Sequence, residues 1–253
     1  MRTLIRKCIA AFLLLNFSGI ALASQEVDVE LVFLADASGS IDDAEIKFQR
    51  RGYAEAIVHP DVLSAIDKGL LQKIAVTYVE WGDSGSQEVV VPWTIIDGLE
   101  SAKNFASALE KTPRLAFGPN AIGSAIAFGQ KLIEGNDLKG LRKVIDFSGD
   151  SANNWNGISI AEARKSALEA GIVINGLAIL CRDCNGRPVL YDLEKAFAEQ
   201  IIGGPASFVV TADNMESFAG AVRRKMILEI GLRSPYAPRI VNLETNKRKR
   251  AIN

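Results

Sequence analysis

From residue 29 onward, short apolar runs alternate with longer amphipathic ones. VELVFLAD (29–36) reads as a strand, and DDAEIKFQRRGYAEAIVH (42–59) has helical spacing. KIAVTYVEW (73–81) and EVVVPWTII (88–96) read as two strands joined by GDSGSQ. Pro92 would remove a ladder hydrogen bond from a central strand, which places the second of them at an edge. SAKNFASALEK (101–111) and AIGSAIAFGQKLI (121–133) read as helices, KVIDFSGD (143–150) as a strand, and SIAEARKSALEAG (159–171) as a helix ending at a glycine cap. IVINGLAIL (172–180), YDLEKAFAEQII (191–202), SFVVTA (207–212) and MESFAGAVRRKMILEIGL (215–232) continue as strand, helix, strand, helix.

Several of these strands are nearly continuous apolar runs, as parallel strands covered by helices on both faces require. The order predicts one doubly wound α/β domain: a mostly parallel, six-stranded, Rossmann-like sheet with one antiparallel edge strand and helices on both faces. With no repeat and no low-complexity linker, two separate domains are not expected.

The N-terminus follows a different rule. MRTLIRK is basic, CIAAFLLLNFSGIALA is apolar, and Ala21-Leu22-Ala23 has the small-x-small form of a cleavage site. That order predicts an export signal over residues 1–23, a domain over 24–232, and a basic tail over 233–253. The chain is therefore expected to act in the periplasm or outside the cell, without a transmembrane segment once processed. Cleavage takes away Arg2, Arg6 and Lys7 and no acids, leaving 26 basic against 30 acidic side chains. This mild acidity argues against nucleic acid as a partner. NKRKR in the tail is the one basic cluster and reads as a solvated terminus.

Cys181 and Cys184 lie in CRDCNG, after a strand and before a Gly-Arg-Pro turn. In an oxidising compartment the pair is expected to form a local disulfide; a redox pair would open a helix, and zinc would need two more soft ligands.

Ligands of open α/β sheets bind beyond the carboxyl ends of the strands, where the strand order reverses. The first strand ends in DASGS, presenting Asp36, Ser38 and Ser40 at alternate positions, and the fourth ends in SGD, with Asp150 last. If those strands are neighbours, the two aspartates approach and repel, and a divalent cation relieves that repulsion. Carboxylates and hydroxyls without histidine or cysteine suit a hard cation. The competing reading is helix capping, since SIDD places Asp43 three residues after Ser40. Asp146 is either a buried, hydrogen-bonded carboxylate or a partner behind the site. Asn153, Asn154 and Trp155 form either a plain polar loop or a rim that touches a partner, and Trp81 and Trp93 are expected in the core.

DASGS resembles the Asp-x-Ser-x-Ser signature of von Willebrand factor A domains, FSGDS resembles their second aspartate element, and the element order agrees over about residues 27–232. LYDLEKAFAEQIIGGPASFVVTA is similar to an exported bacterial branch of that family without an assigned function. The resemblance implies a metal-ion-dependent adhesion site holding a divalent cation, magnesium first and manganese or calcium as alternatives, completed by an acidic side chain of a protein partner. Carried over, its ligands are Asp36, Ser38, Ser40 and Asp150. GPNAIG aligned on the family's Gly-x-Thr element puts Asn120 in the threonine's place.

An enzyme is not expected. The single histidine, His59, precedes Pro60 at a helix end, and neither a G-x-S-x-G elbow nor a G-x-G-x-x-G turn follows the first strand. The expected function is an exported module that binds a protein through a cation. The alternatives are the same fold with a degenerate metal site, acting as an interaction domain, and a metal-dependent hydrolase.

Overall fold

In the computed structural model, residues 24–180 and 191–231 are described. The predicted signal, the Cys181–Cys184 disulfide and the basic tail lie outside the described residues. Six strands form one sheet in the order β3-β2-β1-β4-β5-β6. They are β1 (Gln25–Asp36), β2 (Ile74–Trp81), β3 (Gln87–Ile96), β4 (Leu138–Gly149), β5 (Val173–Ile179) and β6 (Val209–Ala212). All neighbours are parallel except β2 and β3. The six strands, the antiparallel edge and the doubly wound order are those expected. Pro92 lies on edge strand β3, exposed, where the register slips between the pairs Tyr78–Val91 and Val76–Thr94. The missing N–H therefore costs no ladder bond in a central strand.

Seven helices cover the sheet: α1 (Asp43–Ile57), α2 (Pro60–Asp67), α3 (Leu99–Lys111), α4 (Ile122–Glu134), α5 (Ile160–Glu169), α6 (Leu193–Gln200) and α7 (Met215–Gly231). Because side chains alternate along a strand, β1 feeds two cores at once. Leu31, Phe33 and Ala35 pack with Tyr53, Phe105 and Phe218 under α1, α3 and α7. Val32 and Leu34 pack with Ile126, Ala163 and Phe197 under α4, α5 and α6. Burial of β1 on both faces explains its unbroken apolar run.

The helix expected over 42–59 is α1, and a further helix that was not expected, α2, follows it directly. The pattern over 42–59 stops at Ile57, and His59 caps α2, its Nδ1 accepting the Asp61 amide (3.2 Å), with Pro60 at the first helical position. Proline is tolerated there because its missing N–H would be unpaired anyway. The Nε2 of His59 meets Arg223 at 2.7 Å. Since α1 starts at the carboxyl end of β1 and runs back along the sheet, His59 falls toward the opposite edge.

Asp146 sits on the α7 side of β4. Its Oδ2 pairs with Lys225 Nζ at 2.7 Å and its Oδ1 accepts the Tyr53 hydroxyl at 3.4 Å. Lys225 also pairs with Glu229 Oε1 (2.5 Å), which accepts Asn175 Nδ2 (3.0 Å), and all of these side chains are buried. Burial first, and the Asp146 charge second, push the Glu229 carboxyl up to about 8. Asp146 is thus the buried, bonded carboxylate of the two readings its sequence position allowed. Trp81 is buried and stacks on Phe147 with centroids 5.1 Å apart, and the half-buried Trp93 donates to Leu132 O (3.3 Å). Among the described residues no helix is long and apolar enough to cross a membrane.

Candidate metal centre

The chain leaves β1 toward β2 on one side, while β4 lies against β1 on the other, so the strand order reverses between β1 and β4. Asp36 is the last residue of β1 and Asp150 follows the last residue of β4. The two carboxylates come close enough for each to act on the other's protonation. Burial pushes the Asp36 carboxyl up to about 8, and Asp150 adds to the rise; the Ser38 hydroxyl, the Ser38 amide and the Asp150 amide pull the other way. Asp150 is raised by burial against hydrogen bonds from Ser40, its own amide and Asp36.

The β1–α1 loop turns back on itself. The Ser38 amide donates to Asp36 Oδ1 (2.8 Å), an Asx-type turn, and the Ser38 and Ser40 hydroxyls meet at 3.3 Å. Ser38 is buried and Ser40 exposed. The capping expectation is corrected here. The cap of α1 is Asp42, whose Oδ1 accepts the Ala44 and Glu45 amides at 2.8 and 2.9 Å, while Glu45 returns a bond to the Asp42 amide (2.8 Å). Helix initiation is therefore complete without Ser40, and both serine hydroxyls remain with the aspartates.

Asn120 is buried on the α3–α4 loop, 112–121, which touches both halves of the site. The Gly39 amide donates to Gly118 O (2.9 Å) and the Trp155 amide to Asn120 O (2.8 Å). Two arginines fasten this loop. Arg50, paired with Glu80 at 2.7 Å, donates to the carbonyls of Leu109, Thr112 and Pro113 at its start. Arg114 donates through Nη2 to Ala37 O (2.7 Å) and Ser38 O (3.2 Å), through Nε to Ala116 O (3.1 Å), and through Nη1 to Asp43 Oδ1 (3.1 Å). Its guanidinium lies 4.7 Å from the Phe117 ring centroid. On the far side the loop presses on Gly82, where an added Cβ would come 2.2 Å from Phe117 O. Sequence reasoning missed Arg114: it was legible as the lone cation of a Pro- and Gly-bearing loop, but its acceptors are backbone carbonyls about seventy-six residues away.

The expected rim divides. Asn154 Oδ1 accepts the Gly123 amide (3.0 Å) at the start of α4, which has no cap of its own, and its Nδ2 donates to Asn156 O (3.2 Å) and Ile158 O (3.0 Å). Asn154 is thus committed to bracing two loops. Asn153 and Trp155 face solvent, Trp155 at 70% exposure.

The residues present fit a divalent cation. Asp36 Oδ2 and Asp150 Oδ1 are buried and have no hydrogen-bond partner among the described residues, which is costly for a carboxylate unless positive charge or protons answer it. Gly149, between them in the sheet, leaves room: a Cβ there would stand 3.2 Å from Asp36 Oδ2. Among the described residues no three histidine, cysteine or carboxylate side chains come together, so a cation here would rest on two carboxylates supplemented by hydroxyl or amide oxygens.

Residues 26–234 match the family described as "protein of unknown function (DUF1194)". The chain belongs to that family. No curated protein matches the DUF1194 chain. Among solved structures, it is similar to the pilus adhesin SpaC of Lactobacillus rhamnosus GG, with 13% identity and a TM-score of 0.56 over 81% of this chain and 30% of that one. Proximal thread matrix protein 1 from the mussel byssus shows 15% identity and a TM-score of 0.57 over 82% and 49% of the two chains. One structure of that byssal protein has a zinc-occupied MIDAS motif. The von Willebrand factor domain of the pilus tip protein Mfa5 from Porphyromonas gingivalis shows 9% identity and a TM-score of 0.54 over 83% and 98%. The DUF1194 chain thus spans about a third of the adhesin and about half of the byssal protein. These likenesses are ones of fold, and the fold is that of von Willebrand factor A domains.

Proposed function

We propose that this protein is a binding module that engages a protein partner through a divalent cation, magnesium first, at the carboxyl edge of its sheet. Asp36, Ser38, Ser40, Asn120 and Asp150 hold the cation in this reading. The observation that carries it is the pair of aspartates, Asp36 buried and Asp150 half-buried, each with a buried oxygen that has no hydrogen-bond partner among the described residues. When bound, a divalent cation supplies charge neutralisation and a coordination position open to an incoming carboxylate. The protein's own part is to hold two acids together against their repulsion and to keep both serine hydroxyls beside them. Residues 24–232 form the module, and residues 1–23 direct its export to the periplasm or beyond.

No enzymatic role is proposed. The histidine that a nucleophile would need is engaged by Asp61 and Arg223 toward the other edge of the sheet. A second reading, an interaction domain with a dead metal site, draws on Asn120 standing where a hydroxyl is expected. Isothermal titration of the processed protein with magnesium and with manganese separates the two. Saturable binding by the wild type that Asp36→Ala abolishes supports the cation-dependent module. Absence of binding at millimolar metal supports the dead site, and equal binding by Asp36→Ala would show that the cation sits elsewhere.

A further inference from the structure

We infer that Phe117 and Trp155 make the metal edge an aromatic-rimmed docking surface, whose occupant is a protein segment carrying an acidic residue beside a large apolar one. The inference rests on the cation-dependent reading above and adds to it what the partner must place next to its carboxylate.

Among the described residues ten large apolar side chains are exposed, and five of them (Leu115, Phe117, Trp155, Ile158 and Tyr191) lie on loops at this one end. The others are spread over strands, helices and the opposite edge, as scattered surface apolar residues normally are. Trp155 is the most exposed of the ten at 70%, just ahead of Leu70 at 68%, and of these two only Trp155 adjoins the candidate ligands. A concentration of this kind on one edge marks an interaction site.

The two aromatic residues are held in place by their backbones. The Phe117 amide donates to Ser86 Oγ (2.9 Å), its carbonyl accepts the Asp83 amide (3.0 Å), and one ring face covers the Arg114 guanidinium. The Trp155 amide is bonded to Asn120 O, and the neighbouring Asn154 braces the same loop with three side-chain bonds. Rings presented on fixed backbone lose little freedom on binding, which is why aromatic anchors dominate interface energetics. Phe117 lies three residues before Asn120 and the Trp155 amide is bonded to Asn120 O, so both residues stand on the loops that carry the proposed ligands.

Charge selects the class of partner. At this edge, among the described residues, Asp42, Asp43, Glu45 and Asp83 outnumber the cation Arg114, which is paired with Asp43, and the processed chain counts 26 basic against 30 acidic side chains. An anionic lipid surface or a nucleic acid meets repulsion here. A single carboxylate is drawn only to the cation, and its apolar neighbour then falls on the rings. The carboxylate thus makes binding metal-dependent, and the apolar side chain supplies area.

Fluorescence polarisation with short synthetic peptides tests this, using the processed protein with magnesium or with EDTA. The probes carry a central Asp flanked by Phe or Leu, a central Asp flanked by Ser, or a central Asn flanked by Phe. Magnesium-dependent binding that is strongest for Asp flanked by Phe or Leu, and about tenfold or more weaker in Trp155→Ser, is the expected result. Trp155→Phe keeps a ring and retains most of the binding. Calorimetric magnesium affinity is unchanged in both variants, which shows that the folded metal edge is intact. Equal binding of apolar- and Ser-flanked peptides, no peptide binding by magnesium-loaded protein, or indifference to Trp155→Ser would overturn the inference and leave the cation site standing. Failure of the wild type to bind magnesium in calorimetry would overturn the underlying reading instead. Cosedimentation with phosphatidylglycerol vesicles that Trp155→Ser abolishes would reassign the surface to lipid.

Discussion

Replacing Arg114 by glutamine separates the scaffold of the candidate site from its ligands. Three of the four acceptors of Arg114 are backbone carbonyls, two of them on the serine loop itself, at Ala37 and Ser38. Hydrogen bonds from a charged donor are worth roughly 1.5–3 kcal/mol each, but glutamine retains one or two neutral ones and Ser38 O keeps the Ile41 amide. The ion pair with Asp43, whose side chain is 79% exposed, adds only about 0–1 kcal/mol. The expected loss of stability is therefore about 2–4 kcal/mol, within what a domain of this size survives. The consequence for the cation is separate: groups that orient ligands typically govern about 10–100-fold of metal affinity, and magnesium affinity is expected to fall by that factor. The opposing effect is repulsion between guanidinium and cation, reduced by Asp43 at 3.1 Å and by solvent. Calorimetric titration at a temperature where both proteins are folded, checked by thermal melting, measures the balance. Arg114→Lys should recover less than half of the loss, because an ammonium cannot reproduce the planar fork that spans Ala37 and Ser38. A folded Arg114→Gln protein with wild-type or tighter magnesium binding would refute the reasoning.

Two further expectations concern buried charge. Asp36→Asn replaces a buried acid whose ionisation burial and Asp150 both oppose, so in chelator it melts at or above the wild-type temperature. Magnesium at a hundred times its dissociation constant should stabilise the wild type by about 2.7 kcal/mol and the variant by nothing, as read by thermal shift; equal shifts would contradict the ligand assignment. Glu229 is raised to about 8 by burial and by Asp146, with Lys225 and Asn175 in direct contact, Tyr53 on the far side of Asp146, and Arg142 bonded to the Glu229 carbonyl. Between its ordinary value and about 8 the folded chain keeps a proton that the unfolded chain has released, so this contribution to stability falls as pH rises through that window. One proton accounts for at most about 1.4 kcal/mol per pH unit. Urea denaturation from about pH 5 to about pH 8.5 should show a slope shallower by up to that amount in Glu229→Gln, and an unchanged slope would contradict the buried-acid account.

Legibility in the sequence followed the range of the interaction. The doubly wound class could be read because several strands, β1 above all, are nearly continuous apolar runs, and Pro92 marked the edge by a purely local rule. Asp36 and Asp150 could be paired from the sequence because strand ends at a switch point converge by topology alone. The end of α1 before Pro60 could be read, but α2 went unread because it is only eight residues long and its start depends on a histidine side chain acting as a cap. Ser40 was a plausible cap by spacing, yet Asp42 has the closer geometry and a Glu45 to complete the box. Lys225 gave no sign of burial: it follows Arg223 and Arg224 in a helix, and only its two acidic partners, one of them far off in the chain on β4, bring it inside. Arg114 was hidden for the same reason, its bonds going to carbonyls, which carry no sequence signature.

The central position of β1 has a consequence for the order in which the chain can fold. The first strand is hydrogen-bonded on one side to β2 and on the other to β4, with Leu31 opposite both Val76 and Val144. Its second edge therefore stays open until more than a hundred further residues are present. Loop closure over that span is rewarded only once β4 docks, and non-local pairing of this kind slows folding. A chain laid out from the middle of its sheet outward has its N-terminal strand as keystone: it is the first strand made, yet it is locked on both sides only when the fourth arrives.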